Sequence, residues 1–178
     1  MTQVALLRGI NLGSTRRVAM PRLREVLSGA GFGDVRTYLQ SGNVVLRSDL
    51  SADQLSVTTG KLIAGEFGFE VDVIVRTRAE LAKIVELNPL GSVATDPKRY
   101  QVSFLAAEPD PDRVAKLEQA AAASERVVVL GREIYAWHPE GVARSRLWSR
   151  LAAKDRLGVA ATARNWTTVI ALLEMAGG

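Results

Sequence analysis

The chain contains no cysteine. That removes thiolate nucleophiles, zinc–thiolate sites and disulfide switches from its chemistry, and it is in keeping with a reducing compartment. Its single histidine, His138, stands between Trp137 and Pro139 at the end of an expected strand and reads as a surface turn residue. A transition-metal centre would then need carboxylates that no spacing pairs, so neither metal nor cofactor is expected. No window reaches the eighteen or so apolar residues of a membrane span, and no basic stretch precedes an apolar run at the N-terminus. The expectation is a cytoplasmic protein with no membrane partner. Also missing are a Gly-x-Ser-x-Gly elbow, a Walker loop and a dinucleotide fingerprint, since the Gly9 to Gly13 stretch lacks the third glycine and the acidic residue. The strands expected at 4–8 and 43–47 carry no aromatic side chains, so base stacking of the RNA-recognition type has no support.

What is present describes an architecture. With 178 residues, about 70% of the unfolded surface can be buried, and a core needs no covalent staple. Hydrophobic period and punctuation predict a strand at 3–8, a helix at 20–30, strands at 34–39 and 43–48 joined by Ser41-Gly42-Asn43, a helix at 52–67 and a strand at 70–76. Leu23, Val26, Leu27 and Ala30 share one face of the first helix, and Asp49 or Ser51 can cap the second. A connecting helix is read over 78–87, ended by Asn88-Pro89. The second half nearly repeats the pattern, with strands at 100–106, 126–130 and 133–137 and helices at 111–122, 143–156 and 165–176. A two-residue turn at Gly131-Arg132 forces antiparallel neighbours. The expected class is α+β, as two ferredoxin-like βαββαβ-type subdomains with antiparallel sheets over residues 1–77 and 78–178.

The first strand runs into Arg8-Gly9-Ile10-Asn11-Leu12-Gly13 and on to Arg16 and Arg17. Two glycines free the backbone, Asn11 offers an amide, and three arginines supply charge, which suits an anion cradle. The same residues also suit a tight strand-to-helix connection. Strand directions are read as placing the turn at Ser41-Gly42-Asn43 at the other end of the sheet, so Asn43 is not expected beside Asn11. Near the C-terminus, Thr162 or Asn165 can cap the last helix, and Arg164 beside its free N–H groups would suit an anion, while Trp166 equally reads as a core anchor. Net charge is only +4, but it is clustered. No acid opposes the five arginines from Arg8 to Arg24, and only Asp155 opposes six basic residues from Arg144 to Arg164. Arg146, Arg150 and Lys154 fall on one side of the expected 143–156 helix.

Leu6 to Asn11, Met20 with Leu23, Thr37 to Val45, and Thr162 to Trp166 with Thr168 together resemble the bacterial domain-of-unknown-function family 1697 over nearly the whole chain. The resemblance implies the same two-subdomain α+β architecture and implies no activity. Ser14 and Thr15 stand where glycine and lysine are usual, Ala19 and Ala171 where lysine is usual, and Thr167 where asparagine is usual. Arg17 and Arg146 replace lysines, which keeps the charge and changes donor geometry.

Three functions fit these residues. The first is a binding module for a phosphate-bearing partner, nucleic acid or a nucleotide-like molecule, using Arg8, Gly9, Asn11, Gly13, Arg16, Arg17, Arg164 and Asn165. The second is an enzyme acting on an anionic metabolite held by Arg8 and Arg164. The third is an interaction scaffold without a small ligand.

Overall fold

The computed structural model describes residues 1–153 and 157–178. They form two compact units, residues 1–82 with 171–178, and residues 83–170. In the first unit the order is β1 (Thr2–Leu7), α1 (Met20–Gly29), β2 (Gly33–Tyr38), β3 (Asn43–Arg47), α2 (Ala52–Phe67) and β4 (Val73–Thr77), followed by α3 (Arg78–Leu87). The second unit contains β5 (Tyr100–Leu105), α4 (Pro111–Ala120), β6 (Arg126–Leu130), β7 (Glu133–Trp137), α5 (Arg146–Leu151) and β8 (Ala161–Asn165), and α6 (Trp166–Gly177) follows. The sheets run β2-β3-β1-β4 and β6-β7-β5-β8, with every neighbouring pair antiparallel. The α+β class and, in the first unit, the βαββαβ order of elements are those expected from the sequence.

Alternation along the strands sets the first core. Ala5 and Leu7 of β1, Val44 and Leu46 of β3, and Val73 and Val75 of β4 meet Leu23 and Leu27 of α1 and Leu55 and Ile63 of α2. A period of two on the sheet thereby meets a three- to four-residue period on the helices. Ser51 caps α2 through a full capping box with Gln54, and Gly68 ends that helix at φ +78°. In the second unit, Leu105, Ile134 and Ala136 pack with Leu117, Leu147, Leu151 and Leu157.

The structure differs from the sequence reading near the C-terminus. Residues 161–165 are β8, pairing with β5 from Gln101↔Asn165 to Leu105↔Ala161, so Arg164 lies in a strand. The small and polar run Ala-Thr-Ala-Arg-Asn shows little of the alternation that marks a strand, and its β identity comes from the open edge of β5. The expected 143–156 helix is a short 3-10 turn (Val142–Arg144) followed by α5, whose N–H at Trp148 is capped by Ser145. Residues 152 and 153 are not helical, and residues 154–156, with Lys154, lie outside the described residues.

A second correction concerns the ends of the sheet. The strands β1 and β2 are both antiparallel to β3 and therefore run the same way. The helix α1 returns the chain to the end at which β1 began, so the loop after β1 and the turn after β2 lie at one end of the sheet. Leu6 pairs with Asn43, and Leu7 N–H donates to the Gly42 carbonyl at 2.8 Å. The glycine loop and the β2–β3 turn are therefore neighbours.

Gly42 has φ +78°, and a Cβ there would stand 2.6 Å from Leu7 Cβ and 3.0 Å from Ile10 Cδ1. Gly68 has the same φ with nothing within 4 Å of such a Cβ. Gly68→Ala is expected to lose the left-handed preference alone, about 1–2 kcal/mol. Gly42→Ala is expected to lose about 2–4 kcal/mol, because overlap with β1 adds to the same strain. Urea unfolding of the two variants checks this, and equal losses would refute the overlap.

Candidate functional site

The loop of residues 8–18 is built around Asn11. Its Nδ2 donates to the carbonyls of Val18 (2.9 Å) and Gln40 (2.7 Å), and its Oδ1 accepts from Val18 N–H (2.9 Å). Asn11 N–H also donates to the Arg16 carbonyl at 3.0 Å. The amide that the sequence offered as a ligand group thus closes the loop on itself and ties it to the β2–β3 turn. The backbone is left-handed at Gly9, Asn11, Gly13 and Arg16, with φ between +52° and +64°, and again at Leu39 (+56°) and Gly42 in the neighbouring turn. Asparagine tolerates this conformation, but arginine and leucine do so at a cost.

Acids from distant positions answer part of the arginine cluster. Arg8 lies 3.6 Å from Asp72, and its N–H donates to the Asp72 carbonyl at 3.0 Å. Arg22 binds Glu66 through Nε and Nη2 at 2.6 and 3.1 Å and also reaches Glu25. Those hydrogen bonds raise the Arg22 guanidinium and lower the Glu66 carboxyl from their ordinary values. Arg24 donates to Thr37 Oγ1 at 2.6 Å. Arg16 and Arg17 differ, for both are exposed and neither forms a salt bridge among the described residues. The Arg16 guanidinium donates to the Glu70 carbonyl and sits 5.3 Å over the Phe69 ring, while Arg17 donates to the Gly13 carbonyl at 3.3 Å. Each is steadied by a group that leaves its charge unneutralised.

Of the residues singled out in the sequence, Arg8, Gly9, Asn11, Gly13, Arg16 and Arg17 come together in this first-unit loop. Arg164 and Asn165 belong to the second unit. Arg164, 8% exposed, donates to Thr162 Oγ1 (2.8 Å) and the Ala163 carbonyl (2.7 Å). Burial lowers its pKa to about 10, which still leaves it charged at neutral pH. Asn165 Oδ1 accepts from Thr168 N–H at 2.9 Å and so caps α6, as the sequence suggested.

His138 is not a surface residue, and its side chain is fully buried. Its N–H donates to the Arg99 carbonyl, and the chain then turns at Gly141, φ +84°, to bring Ser145 back against the ring. Nδ1 lies 2.8 Å from Ser145 Oγ and 3.5 Å from Glu125 Oε1. The Ser145 hydroxyl donates to Glu125 and accepts from Trp148 N–H. The proton between ring and hydroxyl is therefore assigned to Nδ1. Its Nε2 is buried with no hydrogen-bond partner. This is not a nucleophile–base pair, because the serine is occupied as a helix cap and as a donor to the carboxylate. Burial lowers the His138 pKa, against an opposing pull from Glu125. Burial also pushes the Glu125 carboxyl upward, but hydrogen bonds from Ser145, Ala122, His138 and Leu147 outweigh it, and the net shift is downward. Among the described residues no group of three or more acids and histidines is placed to hold a metal ion, and no helix is long and apolar enough to cross a membrane.

Comparison with known proteins follows the same lines. The model of the family described as "protein of unknown function (DUF1697)" matches residues 1–135, a stretch that contains the whole of the 8–18 loop. The structure of the conserved bacterial protein SP0830 from Streptococcus pneumoniae is similar over 98% of each chain, with a TM-score of 0.77 and 23% identity. It is a likeness of fold. No curated protein matches significantly.

Two outcomes follow from this geometry. Asn11→Ala leaves the part-buried Val18 N–H and carbonyl without their partner and is expected to cost about 1–3 kcal/mol. Urea unfolding measures that loss, and limited proteolysis should show new cleavage within residues 9–18. For His138 the folded value lies below its ordinary 6.5, so the unfolded chain binds the proton more readily. The stability held at neutral pH is therefore lost as pH falls from about 6.5 through the folded value. Unfolding midpoints measured from about pH 7 to about pH 5.5 should decline in the native chain and flatten in His138→Gln. An equal slope in both would remove histidine as the cause.

Proposed function

The chain belongs to the DUF1697 family, a protein family of unknown function, and within it we propose that this member is a binding module for a phosphate-bearing partner, engaged by the 8–18 loop of the first unit. One observation carries the reading. Arg16 and Arg17 are exposed and, among the described residues, without a carboxylate, while Arg8, Arg22 and Arg36 in the same unit are paired with acids. A guanidinium presents a planar set of donors suited to phosphate oxygens. Phe69 and the Glu70 carbonyl hold Arg16 in place before any partner arrives, which reduces the entropy lost on binding.

The left-handed positions support the same reading. Strain is retained at Arg16 and Leu39, beside the free charges, as it also is at Asp34 and Asn88 elsewhere. Arg8 adds to the field while sharing its charge with Asp72. Gly9 and Gly13 have open space where a side chain would start, so a partner can approach the backbone there. The buried and engaged Arg164 and the helix-capping Asn165 contribute less to this reading than the loop does.

A labelled duplex oligonucleotide and a set of nucleotides, each titrated at two salt concentrations, test the proposal. For the oligonucleotide, Arg16→Ala with Arg17→Ala is expected to make the slope of log K against log salt shallower by up to about 1.8, near 0.9 for each phosphate that the protein no longer neutralises. A mononucleotide partner would show a weak salt dependence and would be lost in Gly9→Val or Gly13→Val. Binding no tighter than about millimolar to all of them at low salt would overturn the reading.

A further inference from the structure

The tip that carries the free arginines also carries two exposed leucines. Leu12 is 70% exposed and Leu39 59%, and they flank in sequence the hydrogen bond between Asn11 and the Gln40 carbonyl, one on each of the two adjoining segments. Water contact at two large apolar side chains is unfavourable, and at Leu39 it coincides with a backbone at φ +56°. A glycine or asparagine would hold that turn more cheaply. The same sheet end therefore combines exposed apolar area, retained strain and unneutralised cationic charge.

We propose that this tip docks on the surface of an anionic lipid bilayer, with Leu12 and Leu39 entering the boundary between headgroups and acyl chains and Arg16 and Arg17 meeting lipid phosphates. The proposal rests on the reading of the loop as a phosphate-binding element, names the class of partner, and departs from the sequence expectation of no membrane partner, which concerned spanning segments. Charge complementarity selects an anionic surface, and the leucines select a lipid one. They provide no flat ring on which a base could stack, whereas aliphatic side chains at an interface gain directly from burial in hydrocarbon. Arginine beside them reaches the phosphate layer with its charged head while its methylenes stay in less polar surroundings. The contact is peripheral and reversible, for two leucines and two arginines are far fewer than a spanning segment requires.

Co-sedimentation with phosphatidylcholine vesicles, with and without phosphatidylglycerol, tests it on the full chain, and the labelled duplex oligonucleotide serves as a second arm. Leu12→Ser and Leu39→Gly, singly and together, are compared with Arg16→Ala combined with Arg17→Ala. Binding should require phosphatidylglycerol and should weaken by about 10-fold or more when both leucines are replaced. Leu39→Gly should at the same time raise the melting temperature, because it relieves the left-handed turn, so a loss of binding in that variant is not a loss of fold. Oligonucleotide binding without vesicle binding would overturn the lipid surface and leave the phosphate reading standing. Vesicle binding that ignores the leucines would overturn their insertion, and binding to neither probe would overturn both proposals. A dimer that dissociates in the leucine variants without vesicles would assign the tip to a second copy of the chain and overturn the lipid proposal.

Discussion

In each unit a helix carries the chain from the end of one strand back to the end at which that strand began, so the next strand runs parallel to it, and this constraint organises both sheets. It places the exit from the central strand beside the next hairpin turn. In the first unit the Leu7 N–H meets the Gly42 carbonyl at 2.8 Å, and in the second the Leu105 N–H meets the Arg132 carbonyl at 2.9 Å. On the other side of each central strand, Arg8 N–H meets the Asp72 carbonyl and Ala106 N–H meets the Ala160 carbonyl. Both central strands are thus extended by one bond on each side, and the following loop starts from the same position in both halves.

What each half does with that position differs. After β5 the chain reaches α4 within a few residues, with Asp110 capping the helix through the N–H groups of Asp112 and Arg113. After β1 it takes the longer path of residues 8–19 to α1, which has no side-chain cap. The extra length is stabilised internally by Asn11 and carries Leu12, Arg16 and Arg17 outward. The scaffold is common to both units, and the charge and apolar area stand on the loop that the scaffold leaves free, as is usual where rigid elements position a binding segment.

Much of this was legible in the residues. Strand and helix periods located most of the elements, the turn at Gly131-Arg132 acts as read, and of the alternative caps Asp49 or Ser51 and Thr162 or Asn165 it is Ser51 and Asn165 that serve. The burial of His138 was also within reach, because a two-residue turn pairs 130 with 133 and 126 with 137, which brings 125 opposite 138 at the next step. A carboxylate facing an imidazole at the end of a hairpin signals a buried pair more than a surface turn. By contrast, β8 owes its strand to the edge of β5, which no local pattern in Ala-Thr-Ala-Arg-Asn announces. The role of Asn11 depended on getting strand direction right, since its partner Gln40 is 29 residues away. Pairing of Arg8 with Asp72 and of Arg22 with Glu66 likewise joins residues that only the folded sheet brings together, and the run of unopposed arginines therefore overstated the free charge.

The first unit is not continuous in the chain, since residues 171–178 belong with residues 1–82. During synthesis the ribosome must make all of the second unit before the last piece of the first exists. Domains generally fold as units as they emerge, and the core around Ala5, Leu23, Leu55 and Val75 lies wholly within residues 1–82, so it can pack before residues 171–178 are made. Contacts that span such a separation are slow to form. Only the last strip of the first unit, residues 171–178, is added after the chain of the second is complete.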